Sequence, residues 1–286
     1  MLPSRSHRGS LGWPHHPRVL AGLGLLTGLL MLVACGQGST GTSSAPSPPE
    51  ATVQPAYPVT VSSCGTPVTF TREPSRAVSN DINATEDMLA LGLQSRMAGD
   101  FGVTGDGPAK KPVPAAYLSA FHQVKDVSSG YFTLETLVGL HPDFLFAGWN
   151  YGLSAGTRLT PAGLAKFGIK TLALTESCAH MQSGKQQVSI DNTYQDLTSL
   201  GAIFNVRAKA IAVIAQMRSE VAAAQAKVAP LPPVSVFLYD SGDAAPFTAP
   251  ALAMPNALIQ LGGGRNIFAS LKQSWTSVSW ETVTAR

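Results

Sequence analysis

The sequence contains no Gly-Lys-Ser/Thr phosphate loop and no His-Glu-x-x-His pair. Local signatures of phosphate-loop enzymes and zinc proteases are therefore missing, and the chain reads as a non-enzyme with no cofactor and no metal implied. Its histidines beyond the N-terminal segment, His122, His141 and His180, are isolated in sequence; a zinc site would require them to converge in space, and that is the alternative kept here. No run is long enough to span a bilayer comfortably. The uncharged, mostly apolar stretch Val19 to Ala34 has sixteen residues, short of the roughly 20 that a spanning helix needs. Arg5, Arg8 and Arg18 precede it, so residues 1–35 read as an export signal, with a slightly tilted N-terminal anchor as the alternative.

The quartet Leu32-Val33-Ala34-Cys35 resembles the bacterial lipoprotein cleavage box, which implies a lipid on Cys35 and a place on the extracytoplasmic face of a cell membrane. Cysteine is scarce, three in all, and in an oxidising compartment the remaining Cys64 and Cys178 are expected to form a disulfide, the alternative being two separate buried thiols. Removing the three signal arginines from the 20 basic residues leaves 17, against 17 acidic ones. The mature chain is formally neutral and has no basic stripe, which argues against nucleic acid as a partner. Residues 36–56 hold fourteen Gly, Ser, Thr or Pro among 21; they cannot build a core and read as a tether with a random-coil reach of roughly 25 Å.

From Tyr57 onward, strand-like segments at Ala77 to Ser79, Phe144 to Ala147, Thr171 to Leu174 and Val234 to Tyr239 alternate with helical patterns, which predicts an α/β fold with parallel sheets. Asn83 with Glu86 reads as a capping box for a helix ending at Gly92, and Leu159 to Phe167 as a helix ending at Gly168. Residues 189–232 read as bridging helices: a shorter one that breaks near Asn205, then about 22 residues without interior Gly or Pro, about 33 Å long. Pro230, Pro232 and Pro233 end it. The boundaries are thus a first α/β lobe at 57–188, the bridge, and a second lobe at 233–286.

An internal repeat links the lobes. Leu134-Glu135-Thr136 runs on to His141-Pro142-Asp143 and the apolar Phe144 to Ala147, whereas Trp280-Glu281-Thr282 is followed by only four residues. The second lobe is therefore expected to be incomplete, with one clear strand, a further strand beyond Arg286 and weaker order than the first. Gly262 to Gly264 follow an apolar helix-like run and read as its stop.

These residues together resemble the cobalamin- and ferric-siderophore-binding proteins of ATP-driven importers, two lobes bridged by one long helix. The markers are Ala84-Thr85-Glu86 with Leu89 to Leu93, Leu134-Glu135 with Pro142-Asp143, Val236-Phe237-Leu238, Pro246-Phe247-Thr248, Gly262 to Phe268 and Trp275 to Glu281. They cover Tyr57 to Arg286. The resemblance implies a monomeric solute-binding lipoprotein that docks on a membrane permease through one glutamate per lobe, at the matching positions Glu135 and Glu281. As plain sequence, each is also an ordinary first-turn glutamate favoured by the helix dipole.

Ligands of parallel sheets sit beyond the carboxyl ends of strands. That rule selects Asn80, Asp81, Phe101, Trp149, Asn150, Tyr151 and Thr175 on the first lobe, and Tyr239, Asp240 and Phe247 on the second. Trp275 falls on a tryptophan position of cobalamin-binding relatives, and Tyr131 in the segment before Glu135. Such aromatics offer stacking faces and the Asn and Asp groups fix polar atoms, although each aromatic taken alone is equally at home in a core. An anionic chelate calls for an arginine, for which Arg158 is the candidate. Ferric siderophore is the ligand the resemblance most often implies, cobalamin or haem the alternative, and an accessory or inactive lipoprotein the third reading.

Overall fold

A computed structural model describes residues 56–103, 113–181 and 187–286. The export signal, Cys35 and nearly all of the tether lie outside the described residues. Within them, no helix is long and apolar enough to cross a membrane.

The first lobe is organised by strands buried on both faces. Strands β3 (Ala77–Asn80) and β6 (Phe144–Trp149) expose none of their residues appreciably, as parallel strands do when elements cover both sides of the sheet. Alternation sorts their side chains between two cores. Ala77, Phe144 and Phe146 pack with Phe70, Met88 and Leu172, whereas Val78, Leu145 and Ala147 pack with Phe101, Leu137 and Leu164. Strands β4 (Met97–Phe101) and β5 (Asp126–Ser128) extend the sheet beyond β3, and β7 (Gly152–Leu153) and β8 (Lys170–Ala173) lie on the far side of β6, all parallel. The order β5-β4-β3-β6 with β8 beyond β6 puts the change of winding direction between β3 and β6. Asp143 secures the start of this pair, its carboxylate accepting from the backbone N–H groups of Ser75 and Arg76. The Pro142-Asp143 marker thus has a structural use.

A hairpin of β1 (Val59–Ser63) and β2 (Thr66–Phe70) precedes the sheet. Cys64 in its turn forms a disulfide with Cys178, across 114 residues. Helices α1 (Ile82–Ala90), α2 (Leu118–Phe121), α3 (Leu134–Gly139) and α4 (Pro161–Ala165) connect the strands. Two expectations need correction. The Asn83–Glu86 box is not used, because the N-cap is Asp81, which offers no side-chain cap. The second helix is also shorter than Leu159 to Phe167, starting where Thr160 caps the Gly163 N–H.

Helix α5 (Ile190–Ile203) buries Leu197, Leu200 and Ile203 against the first lobe. The chain turns at Asn205, at φ 54°, into α6 (Arg207–Val228), whose 22 residues bury only Ala210. In the second lobe, β9 (Val234–Val236) pairs in parallel with β11 (Gly264–Asn266), and β10 (Phe247–Thr248) pairs antiparallel with β12 (Thr276–Ser277). This corrects the expectation of one clear strand. It also shortens the predicted Val234 to Tyr239 strand, because the Thr248 hydroxyl donates to Leu238 O and Asp240 N–H donates to Phe247 O, drawing that segment towards β10. Helices α7 (Met254–Leu261) and α8 (Trp280–Thr284) complete the lobe; α7 stops at Gly262, as its glycines predict.

Candidate functional site

The carboxyl ends of β3 and β6 lie side by side, and the residue just past each has a positive φ that is unusual for a side-chain-bearing residue: Asp81 at 75° and Asn150 at 67°. Such backbone costs of order 1–3 kcal/mol per residue and persists where surrounding contacts enforce it. The enforcing contact is Asn80, wholly buried. Its amide donates to Tyr151 O and accepts from Phe132 N–H, joining the ends of both strands to the segment before α3.

These loops form one wall of a cavity of about 790 Å³, lined by Asp81, Asn83, Tyr131, Asn150, Tyr151 and Glu176 from the first lobe and by Asp240, Phe247 and Lys272 to Thr276 from the second. The tyrosines are oriented by acids. Tyr131 donates to Asp81 at 3.1 Å and Tyr151 to Glu176 at 3.0 Å. Burial, and then the neighbouring carboxylate, raise both phenols above their ordinary value, so both keep their protons. Space for Tyr151 comes from Gly148, where an added Cβ would lie 2.0 Å from the tyrosine ring. On the opposite wall Phe247 stacks on Trp275, ring centroids 5.6 Å apart. The cavity therefore offers aromatic faces and fixed polar groups from both lobes, the combination expected of a site for a bulky, partly apolar molecule.

Of the residues selected from sequence, Asp81, Tyr131, Asn150, Tyr151, Asp240, Phe247 and Trp275 meet around this cavity. The others are placed elsewhere. Asn80, Phe101 and Trp149 are buried, since the last residue of a strand covered on both faces points into a core and the residue after it reaches the cavity. Thr175 is occupied by Asp196, donating to that carboxylate through its N–H and its hydroxyl. Tyr239 stacks on Trp280. Arg158 is exposed and outside the lining; its charge contributes to holding Glu135 below the ordinary carboxylate range, after hydrogen bonds from the Glu135 backbone and Thr133. Sequence reasoning missed Asn83, Glu176, Lys272, Gln273, Ser274 and Thr276 as lining residues. Glu176, which follows β8, satisfies the strand-end rule; Asn83 lies in the first turn of α1, Lys272 to Ser274 in a loop, and Thr276 in the two-residue β12, which has no periodic signal.

Glu135 and Glu281 occupy equivalent local structures. Each is exposed in the first turn of a helix whose N-cap hydroxyl, Thr133 or Ser279, accepts from the N–H of the following threonine, Thr136 or Thr282. Hydrogen bonds from the cap and from its own backbone lower the pKa of Glu281 as well. Among the described residues, no group of three or more His, Cys, Asp or Glu is placed to hold a metal ion.

Comparison with known proteins agrees with this architecture. The cobalamin-binding protein of Halobacterium salinarum is 27% identical over 243 residues, covering 81% of this chain and 57% of that protein; the chain thus spans less than two thirds of that relative's length. A periplasmic binding protein from Veillonella parvula superposes with a TM-score of 0.65 at 28% identity, covering 79% of this chain and 73% of that one. An ABC-type Fe3+-hydroxamate transport system structure from Saccharomonospora viridis gives a TM-score of 0.64 at 23% identity, covering 80% and 77%, a likeness of fold. The sequence profile of periplasmic binding proteins matches residues 78–286, from the second residue of β3 through the last helix, and the chain accordingly belongs to the periplasmic binding protein family.

Proposed function

We propose that this chain is the lipid-anchored, extracytoplasmic solute-binding component of an ATP-driven importer, capturing an iron(III) siderophore between its lobes and delivering it to a membrane permease. The observation that carries the reading is the cavity at the change of winding direction, with an ordered polar wall on one lobe and the Phe247–Trp275 stack on the other. Family membership and the Fe3+-hydroxamate neighbour support it. Cobalamin is the second reading, favoured by the Halobacterium salinarum relative and by stacking groups that suit a neutral macrocycle; haem would occupy the same role. Glu135 and Glu281 are assigned to permease docking, because both are exposed, ionised and presented identically on two lobes. Cys35 carries the lipid in this reading.

Titration of intrinsic fluorescence with ferric hydroxamates, ferric catecholates, haem and cobalamin tests the capture role. Trp275 lines the cavity, so saturable quenching by one class is expected, and silence towards all four would favour the accessory-lipoprotein reading. For docking, Glu135→Arg is expected to weaken permease association while leaving ligand affinity within about twofold; a large loss of affinity would overturn the assignment.

A further inference from the structure

The charge around the cavity is lopsided. Among the described residues, three carboxylates line it, those of Asp81, Glu176 and Asp240, against one ammonium, that of the exposed Lys272. Neutral hydroxyls serve these acids: Tyr131 donates to Asp81, Tyr151 to Glu176 and Ser241 to Asp240. A hydroxyl brings no formal positive charge, so the donors to Asp81 and Asp240 do not cancel the charge on those two groups. The acids are also divided between the walls, with Asp81 on the first lobe and Asp240 on the second. Tyr131, between them, senses both, since each contributes to raising its phenol. The arginine that an anionic chelate would need, Arg158, lies outside the lining.

Resting on the solute-binding reading, we propose that the cleft selects by charge: its ligand is a chelate that is cationic or carries a pendant ammonium, and anionic chelates, ferric catecholates and haem carboxylates among them, are rejected. Asp81 and Asp240 repel one another across an empty cleft, and positive charge placed between them turns that repulsion into attraction from both walls. Ligand charge then helps to draw the lobes together, in addition to selecting the cargo. The aromatic faces supply affinity that is indifferent to charge, so Asp81 and Asp240 determine specificity.

The test uses the full chain in detergent and two sets of charge-matched probes. One is a linear ferric trihydroxamate with a free terminal amine, compared with its N-acetylated neutral form and its N-succinylated anionic form. The other is aquocobalamin, a cation, compared with neutral cyanocobalamin. Within whichever set binds, the cation is expected to bind about tenfold tighter than the neutral form at low salt, and the anion of the hydroxamate set about tenfold weaker again. The ratios should shrink towards about threefold in about 0.5 M salt. Asp240→Asn, at an exposed position, should reduce the cation preference to about threefold and leave the neutral probe within about twofold. Equal affinities across a set, or an anion that binds best, overturn charge selection and leave solute capture standing. Absence of binding by every probe in both sets overturns both.

Discussion

The first lobe rests on β3 and β6, which have no exposed residue, whereas β9 in the second leaves Val234 at 67% exposure and has only the three-residue β11 beside it among the described residues. The two walls of the cleft are built accordingly. The first presents groups fixed by buried supports: Asn80 under Tyr151 and Phe132, Thr175 on Asp196, and the Cys64–Cys178 bridge beneath the turn that carries Glu176. The second presents the Phe247–Trp275 pair, Phe247 on the two-residue β10 and Trp275 just before the two-residue β12. Precision thus resides in one wall and adaptability in the other, a division that suits capture by closure.

The largest test of that contrast is removal of the bridge. Cys64→Ser with Cys178→Ser frees a 114-residue loop and is expected to lower stability by about 4–5 kcal/mol in the chain-entropy account, measured by urea unfolding. Unchanged stability would mean that the first lobe owes its order to packing alone. Next is Phe268→Ala in the second lobe, where the wholly buried ring packs on Phe237. A loss of about 3–5 kcal/mol is expected. In hydrogen exchange the protection of β9 and β11 should collapse while that of β3 and β6 persists; loss of protection in all four strands would erase the distinction.

A third test concerns pH and belongs to the first lobe. Burial, and then the nearby Asp126, push the Asp100 carboxyl up to about 7, and neither of its oxygens has a hydrogen-bond partner among the described residues. The unfolded chain releases this proton near pH 4, while the folded chain holds it to about 7. Stability from this group is therefore complete below about pH 4 and declines as pH rises to about 7, so about 3 kcal/mol should be lost between pH 5 and 8. Asp100→Asn should flatten that slope in melting temperatures recorded across the range; an unaltered slope would place the titration elsewhere. The smallest effect compares the two helix caps. Thr133→Ala and Ser279→Ala should each cost about 1 kcal/mol by chemical denaturation, and markedly unequal costs would break the equivalence of the two glutamate turns.

What could be read from the letters followed burial. Phe144 to Ala147 is apolar because both faces are covered, and that pattern is visible without coordinates. The second lobe's strands were largely invisible, since Gly264-Arg265-Asn266 and Thr276-Ser277 carry no apolar run and pair through long-range contacts. At the site, the strand-end rule found Asp81, Asn150, Tyr151 and Asp240 but also selected Asn80, Phe101 and Trp149, one residue too early. Alternation alone could not say which residue at a strand's end leaves the core. Gly148 shows the remaining gap. Its importance comes from the ring of Tyr151 folding back upon it, a contact with no signature in the sequence.

In the proposed docking, the twin turns at Glu135 and Glu281 would act as the jaws of a calliper. Each carboxylate is fixed to its own lobe by a capped helix start, so the gap between them is a direct readout of the angle between the lobes. A partner that gripped both would measure that opening without touching the cargo, and would tell a shut protein from an open one by span alone.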